Sequence, residues 1–315
     1  MKLATVLEIG RPGLLATLQD YGRFGYQAQG ITQGGPIDER AFLWANRLLG
    51  NSFNAAQIEI TLGGFSATFT RDTLFVVTGA EFPLTLNDQP LKVWRVAQAR
   101  AGDQLQIGTG DQGLRCYLAV AGGFQATPHL GSVATVMRDA LGGLTQDGRP
   151  LRSGDRLNAP LLHAHSLVSR RPSSKLHLTL PSRVTLDVIP AAQVSDFSAT
   201  ARELFTNQSY QVTARQDRMG VRIEGESALS DLPGQMISEP LPLGSVQIPT
   251  DGQPIVMLND HQTLGGYPKI GVLSWQARSL LAQLPAGRRV QFRWLELSEA
   301  QRQLRQALRF FNVTR

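Results

Sequence analysis

The sequence has little of several residue types, and each scarcity narrows the possible function. Cys116 is the one cysteine in 315 residues, which excludes an internal disulfide, and its place in the apolar run from Leu114 to Val120 predicts a buried, unreactive thiol. No run of about 18 apolar residues occurs, which argues against a membrane-spanning helix. The first eight residues include Glu8 and lack the apolar segment of a secretory signal. These features predict a cytoplasmic protein.

Sequence signatures of metal binding and of serine hydrolases are also missing. The histidines show no paired ligand spacing except at His163 and His165, and a zinc site is not expected with one cysteine, so no metal is predicted. No Gly-x-Ser-x-Gly elbow occurs. None of the lysines is flanked by methionine on both sides, so the chain does not itself carry a biotin-attachment sequence.

Positive charge is concentrated in two segments of a chain whose net charge is +6. Residues 276–315 carry eight Arg against two Glu, residues 149–183 carry six Arg and one Lys against one Asp, and the remainder is acidic. Nucleic acid is the first partner that such segments suggest. However, the basic residues are not interleaved with aromatic side chains, and no nucleic-acid motif appears. We therefore expect a solvated face or a contact with an acidic partner chain, and neither a nucleic acid nor a membrane as partner.

The distribution of β-rich segments predicts a mainly-β protein. Short apolar runs bounded by Gly, Pro, Asn and Asp are typical of sandwiches or closed barrels rather than βαβ units. A chain of this length is expected to form two domains, at residues 1–165 and 175–297, joined by a linker around His163–Ser174. The predicted strands are Gln57–Thr61, Phe65–Thr70, Thr73–Thr78, Gln104–Ile107, Leu114–Ala121, Arg183–Ile189, Tyr210–Ala214, Val221–Glu224, Ser245–Ile248, Pro254–Leu258, Ile270–Trp275 and Arg288–Trp294.

Two helices are predicted from their end signals. Asp38 is a suitable N-cap for the first, and Gly50 ends it. The second covers residues 298–311 at the C-terminus, with Ser298 as N-cap and Gln301 completing a capping box. Its apolar stripe, at helical spacing, is Ala300, Leu304, Ala307, Leu308 and Phe311.

Polar groups are most concentrated in residues 237–254 and 257–269. Gly265 and Gly266 allow backbone N–H groups to approach a ligand closely, as in an anion-binding nest. Lys269 is one of four lysines and supplies a compact cation whose pKa responds to burial. The alternative is a two-turn loop in which Asn and Asp cap their own backbone. The convergence of unlike polar groups favours a ligand site.

Two further stretches contain polar residues among glycines. The stretch Asp217–Gly220 precedes a predicted strand, and a turn with a local ion pair explains it equally well. The glycine-rich stretch from Pro12 to Asp38 is able to cradle an anion. It matches neither the P-loop pattern nor the dinucleotide pattern, so it predicts no phosphate site by itself.

Several of these segments together resemble one family. They are Gly13…Thr17-x-Gln19-Asp20-x-Gly22-Arg23-x-Gly25, Glu59–Gly64, Tyr117–Gly123, Asp217–Gly220, Ser238–Pro240, Gln247-Ile248-Pro249-x-Asp251-Gly252-Gln253-Pro254 and Gln262-Thr263-x-Gly265-Gly266-Tyr267-Pro268-Lys269. The resemblance is to the biotin-dependent carboxyltransferase / allophanate hydrolase subunit 2 family, and it spans about Val6 to Phe292. Position 261 is His where the family pattern is expected to have Arg.

The resemblance implies two cyclophilin-like β-barrel lobes and a heteromeric complex. Stand-alone bacterial members include the C subunit of 5-oxoprolinase, which with subunits A and B cleaves 5-oxo-L-proline to L-glutamate using ATP. The same architecture within urea carboxylase moves a carboxyl group from carboxybiotin to urea, and the family has also been described as antagonising a histidine-kinase inhibitor. Because the chain is not embedded in a longer polypeptide, we expect the 5-oxoprolinase role. Carboxyl transfer and regulatory binding stay open as alternatives.

All the candidate reactions activate a small amide-like group. Such chemistry needs cations and N–H donors for a developing oxyanion, and a carboxylate or amide to orient the substrate nitrogen. We predict Lys269, Asp251 and Arg218 as catalytic residues. The predicted substrate-binding residues are Glu239, Gln247, Gln253, Gln262, Gly265, Gly266, Tyr267, Asp20 and Arg23. ATP is expected in the complex, and biotin only in the carboxyltransferase alternative, carried by another chain.

Overall fold

A computed structural model describes residues 2–161, 180–181, 183–234 and 236–314. Contacts divide the chain into one unit of Met1–Arg23 and Gly34–Thr179, and a second of Phe24–Gln33 and Leu180–Arg315. Residues 24–33 therefore group with the second unit. The predicted linker, the His163/His165 pair and the predicted domain boundaries at 165 and 175 lie outside the described residues.

The first unit is built from two antiparallel sheets. Its strands are β1 (Leu3–Pro12), β2 (Leu15–Gln19), β3 (Gln57–Thr61), β4 (Phe65–Phe69), β5 (Thr73–Gly79), β6 (Leu84–Leu86), β7 (Gln89–Leu91), β8 (Ala97–Ala99), β9 (Gln104–Ile107), β10 (Arg115–Val120) and β11 (Arg156–Pro160). They pair in the orders β11-β1-β4-β9-β6-β7 and β2-β3-β10-β5-β8. Alternation along β4 buries Phe65, Ala67 and Phe69, whereas every residue of β10 is buried.

One helix, α1 (Glu39–Leu49), covers the five-stranded sheet. As predicted, the Asp38 side chain accepts a hydrogen bond from the Ala41 N–H at 3.0 Å, and Gly50 ends the helix with φ +69°. Leu48 and Leu49 pack against the sheet beside Val76. Helix α1 thus covers one face of the five-stranded sheet. The opposite face contributes Ile58, Val77 and Leu118 to the larger apolar core of this unit.

In the second unit, seven strands close into a barrel in the order β12-β19-β16-β17-β14-β13-β20. Closure requires β12 to pair in parallel with β20 and antiparallel with β19. A separate two-stranded sheet joins β15 and β18. The strands are β12 (Arg183–Pro190), β13 (Tyr210–Gln216), β14 (Gly220–Gly225), β15 (Glu239–Pro240), β16 (Ser245–Gln247), β17 (Ile255–Met257), β18 (Leu264–Gly265), β19 (Lys269–Leu273) and β20 (Arg289–Trp294).

The α-helices in the described part of this unit are α2 (Ala199–Asn207), α3 (Trp275–Leu281) and α4 (Leu297–Phe310). The strand predicted at Ile270–Trp275 is too long, because the Ser274 hydroxyl accepts a hydrogen bond from the Ala277 N–H at 3.2 Å and starts α3. The predicted N-cap Ser298 is also wrong. Helix α4 begins one residue earlier, at Leu297, and its N-cap Glu296 makes no side-chain capping bond. In the predicted apolar stripe, Ala300 and Phe311 are buried, and Leu304, Ala307 and Leu308 are half-buried.

The expected fold class is confirmed: the chain is mainly β, with a barrel, a few helices and a C-terminal helix. Cys116 is fully buried in β10, and burial raises the pKa of its thiol well above the ordinary value, as expected for an unreactive cysteine. Within the described residues, no helix is long and apolar enough to cross a membrane.

Candidate functional site

Lys269 is the first residue of β19, directly opposite Gln247 of β16. Only 7% of its surface is exposed, and its Nζ forms an ion pair with Oε1 of Glu239. Burial lowers the pKa of Lys269 because the ammonium group loses hydration. The neighbouring carboxylate acts in the opposite direction by favouring the charged form. A buried cation next to one carboxylate is therefore the centre of the candidate site.

Glu239 lies on the two-residue strand β15, paired with Gly265 of β18. Its side chain is 39% exposed, whereas that of Lys269 is 9% exposed. Since one partner is buried and the other remains in contact with solvent, the ion pair is accessible from the carboxylate side. The Glu239 carboxylate is therefore the part of the pair that a small polar ligand is able to contact.

Gln193, in the turn after β12, completes this group and was not predicted from the sequence. Its Oε1 accepts a hydrogen bond from the backbone N–H of Lys269 at 2.7 Å, and its Nε2 donates to Oε1 of Glu239. The same carboxylate oxygen thus receives both the glutamine amide and the lysine ammonium. No motif contains Gln193, and it is 46 residues from Glu239 in the chain, so only the folded structure reveals the contact.

Gln247, Gly265 and Tyr267 surround the same group. Gln247 is 2% exposed, and its Nε2 donates to the carbonyl oxygen of Tyr267 at 3.2 Å. A Cβ atom on Gly265 would lie 2.6 Å from Cδ1 of Leu241 and 2.7 Å from Nε2 of Gln247, so a larger residue would require these side chains to shift. Neither Gly265 nor Gly266 has the positive φ that an anion-binding nest uses, and Gly265 is held in the β15–β18 pair, whereas the predicted role of both glycines in binding a ligand stays a prediction. The Tyr267 ring is 44% exposed.

A cleft of about 260 Å³ lies within the second unit, and one of its walls is the segment that directly follows Glu239. It is lined by Gln27, Thr32, Gln33, Pro240, Leu241, Pro242, Leu243, His261 and Thr263. The N–H of Leu241 donates to the carbonyl oxygen of Thr263 at 3.0 Å, which fixes this wall. Nδ1 of His261 is 2.5 Å from the carbonyl oxygen of Gln262, whose side chain is half-buried. The lining combines apolar side chains with a few polar groups, as small-molecule sites do.

Asp251 and Gln253 belong to a different group in the second unit. The exposed carboxylate of Asp251 pairs with Arg222 of β14. Burial acts to raise the pKa of Asp251, but hydrogen bonds from Arg222 and from the Gln253 N–H hold it below its ordinary value. The Gln253 side chain accepts from the Gly225 N–H at 2.8 Å and donates to the Gly225 carbonyl oxygen at 3.3 Å. These contacts give both residues structural partners, and their predicted roles in catalysis and binding stay predictions.

Arg218 forms a buried, bidentate ion pair with Asp260. Its Nε and Nη2 each donate to one carboxylate oxygen at 2.9 Å, and both side chains are 3% exposed. The backbone continues the contact, since the Asp260 N–H donates to the Arg218 carbonyl oxygen at 2.8 Å. This geometry anchors residues 258–261 to the start of β14.

Asp20 and Arg23 lie in the first unit and have internal partners. Asp20 accepts hydrogen bonds from the Ser132 hydroxyl at 2.5 Å and the Val133 N–H at 2.9 Å, and burial raises its pKa. Arg23 is 1% exposed and donates to the backbone carbonyl oxygen of His129 at 2.9 Å. Both side chains fix residues 129–134, and their predicted role in substrate binding stays a prediction.

Among the described residues, no group of three or more His, Cys, Asp and Glu is placed to hold a metal ion.

Residues 29–294 match the family model described as the carboxyltransferase domain, subdomain A and B. The chain belongs to this carboxyltransferase domain family. The match includes the whole Gln193, Glu239 and Lys269 group and confirms the family resemblance found in the sequence motifs. Residues 1–28, with Asp20 and Arg23, lie before it.

Proteins similar to this chain include 5-oxoprolinase C subunits and urea amidolyases. The chain is 34% identical to the 5-oxoprolinase C subunit of Escherichia coli (strain K12), covering 97% of this chain and 96% of that protein. It is 31% identical to urea amidolyase of Lachancea kluyveri, covering 90% of this chain but 17% of that protein. The crystal structure of Kluyveromyces lactis urea amidolyase matches with a TM-score of 0.85 at 28% identity, covering 97% of this chain and 19% of that one.

Proposed function

We propose that the chain is the C subunit of a heteromeric ATP-dependent 5-oxoprolinase, which cleaves 5-oxo-L-proline to L-glutamate together with subunits A and B. One observation carries this proposal: the match to the Escherichia coli 5-oxoprolinase C subunit runs nearly end to end on both chains. The match to urea amidolyase covers less than a fifth of that larger protein.

In this proposal, Lys269 stabilises the negative charge that develops on the lactam oxygen when the amide is attacked. A partly desolvated ammonium group interacts with such charge more strongly than an exposed one, because water screens it less. Glu239 neutralises Lys269 in the resting state and offers its exposed carboxylate to the substrate N–H. Arg218 and Asp251 are engaged in ion pairs of their own, and we assign them structural roles.

We assign ATP binding to the partner chains. The sequence lacks a P-loop pattern, and the Lys269 group offers one cation rather than the several donors that a triphosphate requires. In the complex, ATP supplies the free energy for opening the lactam. The residues of this chain bind and orient the amide and stabilise its oxygen.

Carboxyl transfer from carboxybiotin to a small amide is the second candidate function. It is favoured by the TM-score of 0.85 to a structure of urea amidolyase. The biotin would be carried by another chain. The Lys269 group suits this reaction as well, because transfer to urea also requires a cation near an amide oxygen.

The test is 5-oxoproline-dependent ATP hydrolysis in a mixture of this chain with candidate subunits A and B, with glutamate measured as product. The 5-oxoprolinase proposal expects glutamate formation that stops when this chain is left out. Urea-dependent carboxyl transfer from a biotinylated carrier, without 5-oxoproline turnover, would support the second candidate instead. The absence of both activities from a properly assembled complex would leave regulatory binding as the better hypothesis.

A further inference from the structure

We propose that Gln193 is a positioning residue that holds Glu239 against Lys269. Its side-chain amide spans two elements: the Oε1 atom accepts from the N–H of Lys269 on β19, and the Nε2 atom donates to Glu239 on β15. The consequence for catalysis rests on the proposed function. The positioning itself is a property of this chain alone.

The chemistry of the partners determines the orientation of the amide. A backbone N–H only donates, so the atom facing Lys269 must be the carbonyl oxygen of Gln193. The NH₂ group then faces Glu239, whose ionised carboxylate only accepts. Both hydrogen bonds are therefore satisfied in one orientation and lost in the other, and no residue with only donors or only acceptors is able to replace glutamine.

Among the described residues, the Glu239 side chain is held by its ion pair with Lys269 and by Gln193. Strand β15 is two residues long, and 39% of the Glu239 side chain is exposed. A charge-assisted hydrogen bond is roughly twice as strong as a neutral one. Without Gln193, the ion pair with Lys269 alone opposes rotation of the carboxylate into water, and each such rotation leaves the buried ammonium group without its counter-charge.

The pKa of Lys269 is expected to report whether the Glu239 carboxylate is in place. Among the described residues, Glu239 is the charged group within ion-pair distance of Nζ, while β16 contributes the neutral Gln247 and the turn after β12 contributes the neutral Gln193. Loss of the carboxylate from this position leaves desolvation unopposed, so the pKa of Lys269 falls further.

The experiment is lysine-selective NMR titration of the full chain, which has only four lysines (Lys2, Lys92, Lys175 and Lys269), with Lys269→Arg used for assignment. Gln193→Met keeps the side-chain volume but removes both hydrogen bonds, and we expect it to lower the pKa of Lys269 by about one unit. Gln193→Glu keeps the acceptor and adds a second carboxylate, so it is expected to raise that pKa.

Two controls decide whether Gln193 acts through Glu239. In a Glu239→Gln background, Gln193→Met is expected to cause no further shift, because the group it positions is gone. Gln208→Met removes a comparable bridging glutamine, whose hydrogen bonds within the described part of the chain go to Tyr210 and Ser227, and it is expected to leave the pKa of Lys269 unchanged. An unchanged Lys269 pKa in both Gln193 variants, or an equal shift with and without Glu239, would overturn the proposal.

The assembled complex links this inference to function. If the 5-oxoprolinase proposal holds, Gln193→Met is expected to move the alkaline limb of the activity–pH profile to lower pH, by the same shift that NMR measures. A complex without 5-oxoproline turnover, combined with the expected NMR shifts, contradicts the proposed function and supports the positioning role. Expected activity combined with absent NMR shifts supports the proposed function and contradicts the positioning role.

Discussion

The second unit contains two ion pairs of contrasting construction. Arg218 and Asp260 are both 3% exposed and joined by two hydrogen bonds of 2.9 Å, so the pair is closed to solvent on every side. Lys269 is also buried, but its partner Glu239 is 39% exposed. A closed pair is suited to holding the fold, because removing either partner leaves the other charge buried. A pair with one open side is suited to chemistry, because a ligand is able to compete for the cation.

The largest expected effect is the loss of stability when the closed pair of Arg218 and Asp260 is broken. Arg218→Met leaves Asp260 buried without its cation, and breaking a buried pair by removing one partner costs about 3–5 kcal/mol of the free energy of unfolding. Urea denaturation of the isolated chain measures this loss. Replacing both partners by apolar residues, as in Arg218→Met with Asp260→Leu, is expected to recover much of it. A loss below about 1 kcal/mol in the single variant would show that the pair contributes little to stability.

The pH dependence of activity is expected to reveal the open pair. Lys269 stabilises an oxyanion only when protonated, so activity is present below its folded-state pKa and falls as pH rises through it. Because burial lowers that pKa, the fall begins below the value of about 10.4 for an exposed lysine. The measurement is kcat/KM for 5-oxoproline across the alkaline range in the assembled complex. In Lys269→Arg, whose guanidinium stays charged, the remaining activity should lack this limb. An identical limb in both proteins assigns it to another group.

The smallest expected effect concerns Asp251. Its carboxylate pairs with Arg222 at the surface, and such pairs contribute about 0–1 kcal/mol. Asp251→Asn keeps the oxygen that accepts from the Gln253 N–H. Urea denaturation is therefore expected to show a loss below about 1 kcal/mol, with activity in the complex nearly unchanged. A loss of activity by about a hundredfold, with stability retained, would restore the catalytic role that the sequence suggested.

Local patterns were sufficient to predict much of the fold. The strands β3 and β9 were predicted residue for residue, because turn residues bound short β-rich runs there. Asp38 and Gly50 marked both ends of α1. Errors occurred at the starts of two helices. The apolar run to Trp275 continues the composition of β19, so the start of α3 at Ser274 was missed. Helix α4 starts one residue before the predicted position and has no side-chain cap.

The candidate site was predicted only in part, for a related reason. Strand pairing brings together five predicted residues from neighbouring stretches: Lys269, Glu239, Gln247, Gly265 and Tyr267. Gln193 is separated from Lys269 by 76 positions and belongs to no motif, so only the closure of the barrel reveals it. Conversely, Asp251 is close to Gln247 in the sequence, but its side chain pairs with β14. Proximity in sequence indicates where polar groups are abundant, but not which of them share one site.

The most direct test of the contrast between the two pairs is activity and stability measured together for Lys269→Met. We expect kcat for 5-oxoproline-dependent ATP hydrolysis to fall by a factor of about 10²–10³, as when one oxyanion donor is removed. The free energy of unfolding is expected to change little. Lys92→Met, at an exposed position of the first unit, is the matched control and should change neither quantity. Full activity of the Lys269→Met complex would contradict the assignment of the open pair to catalysis.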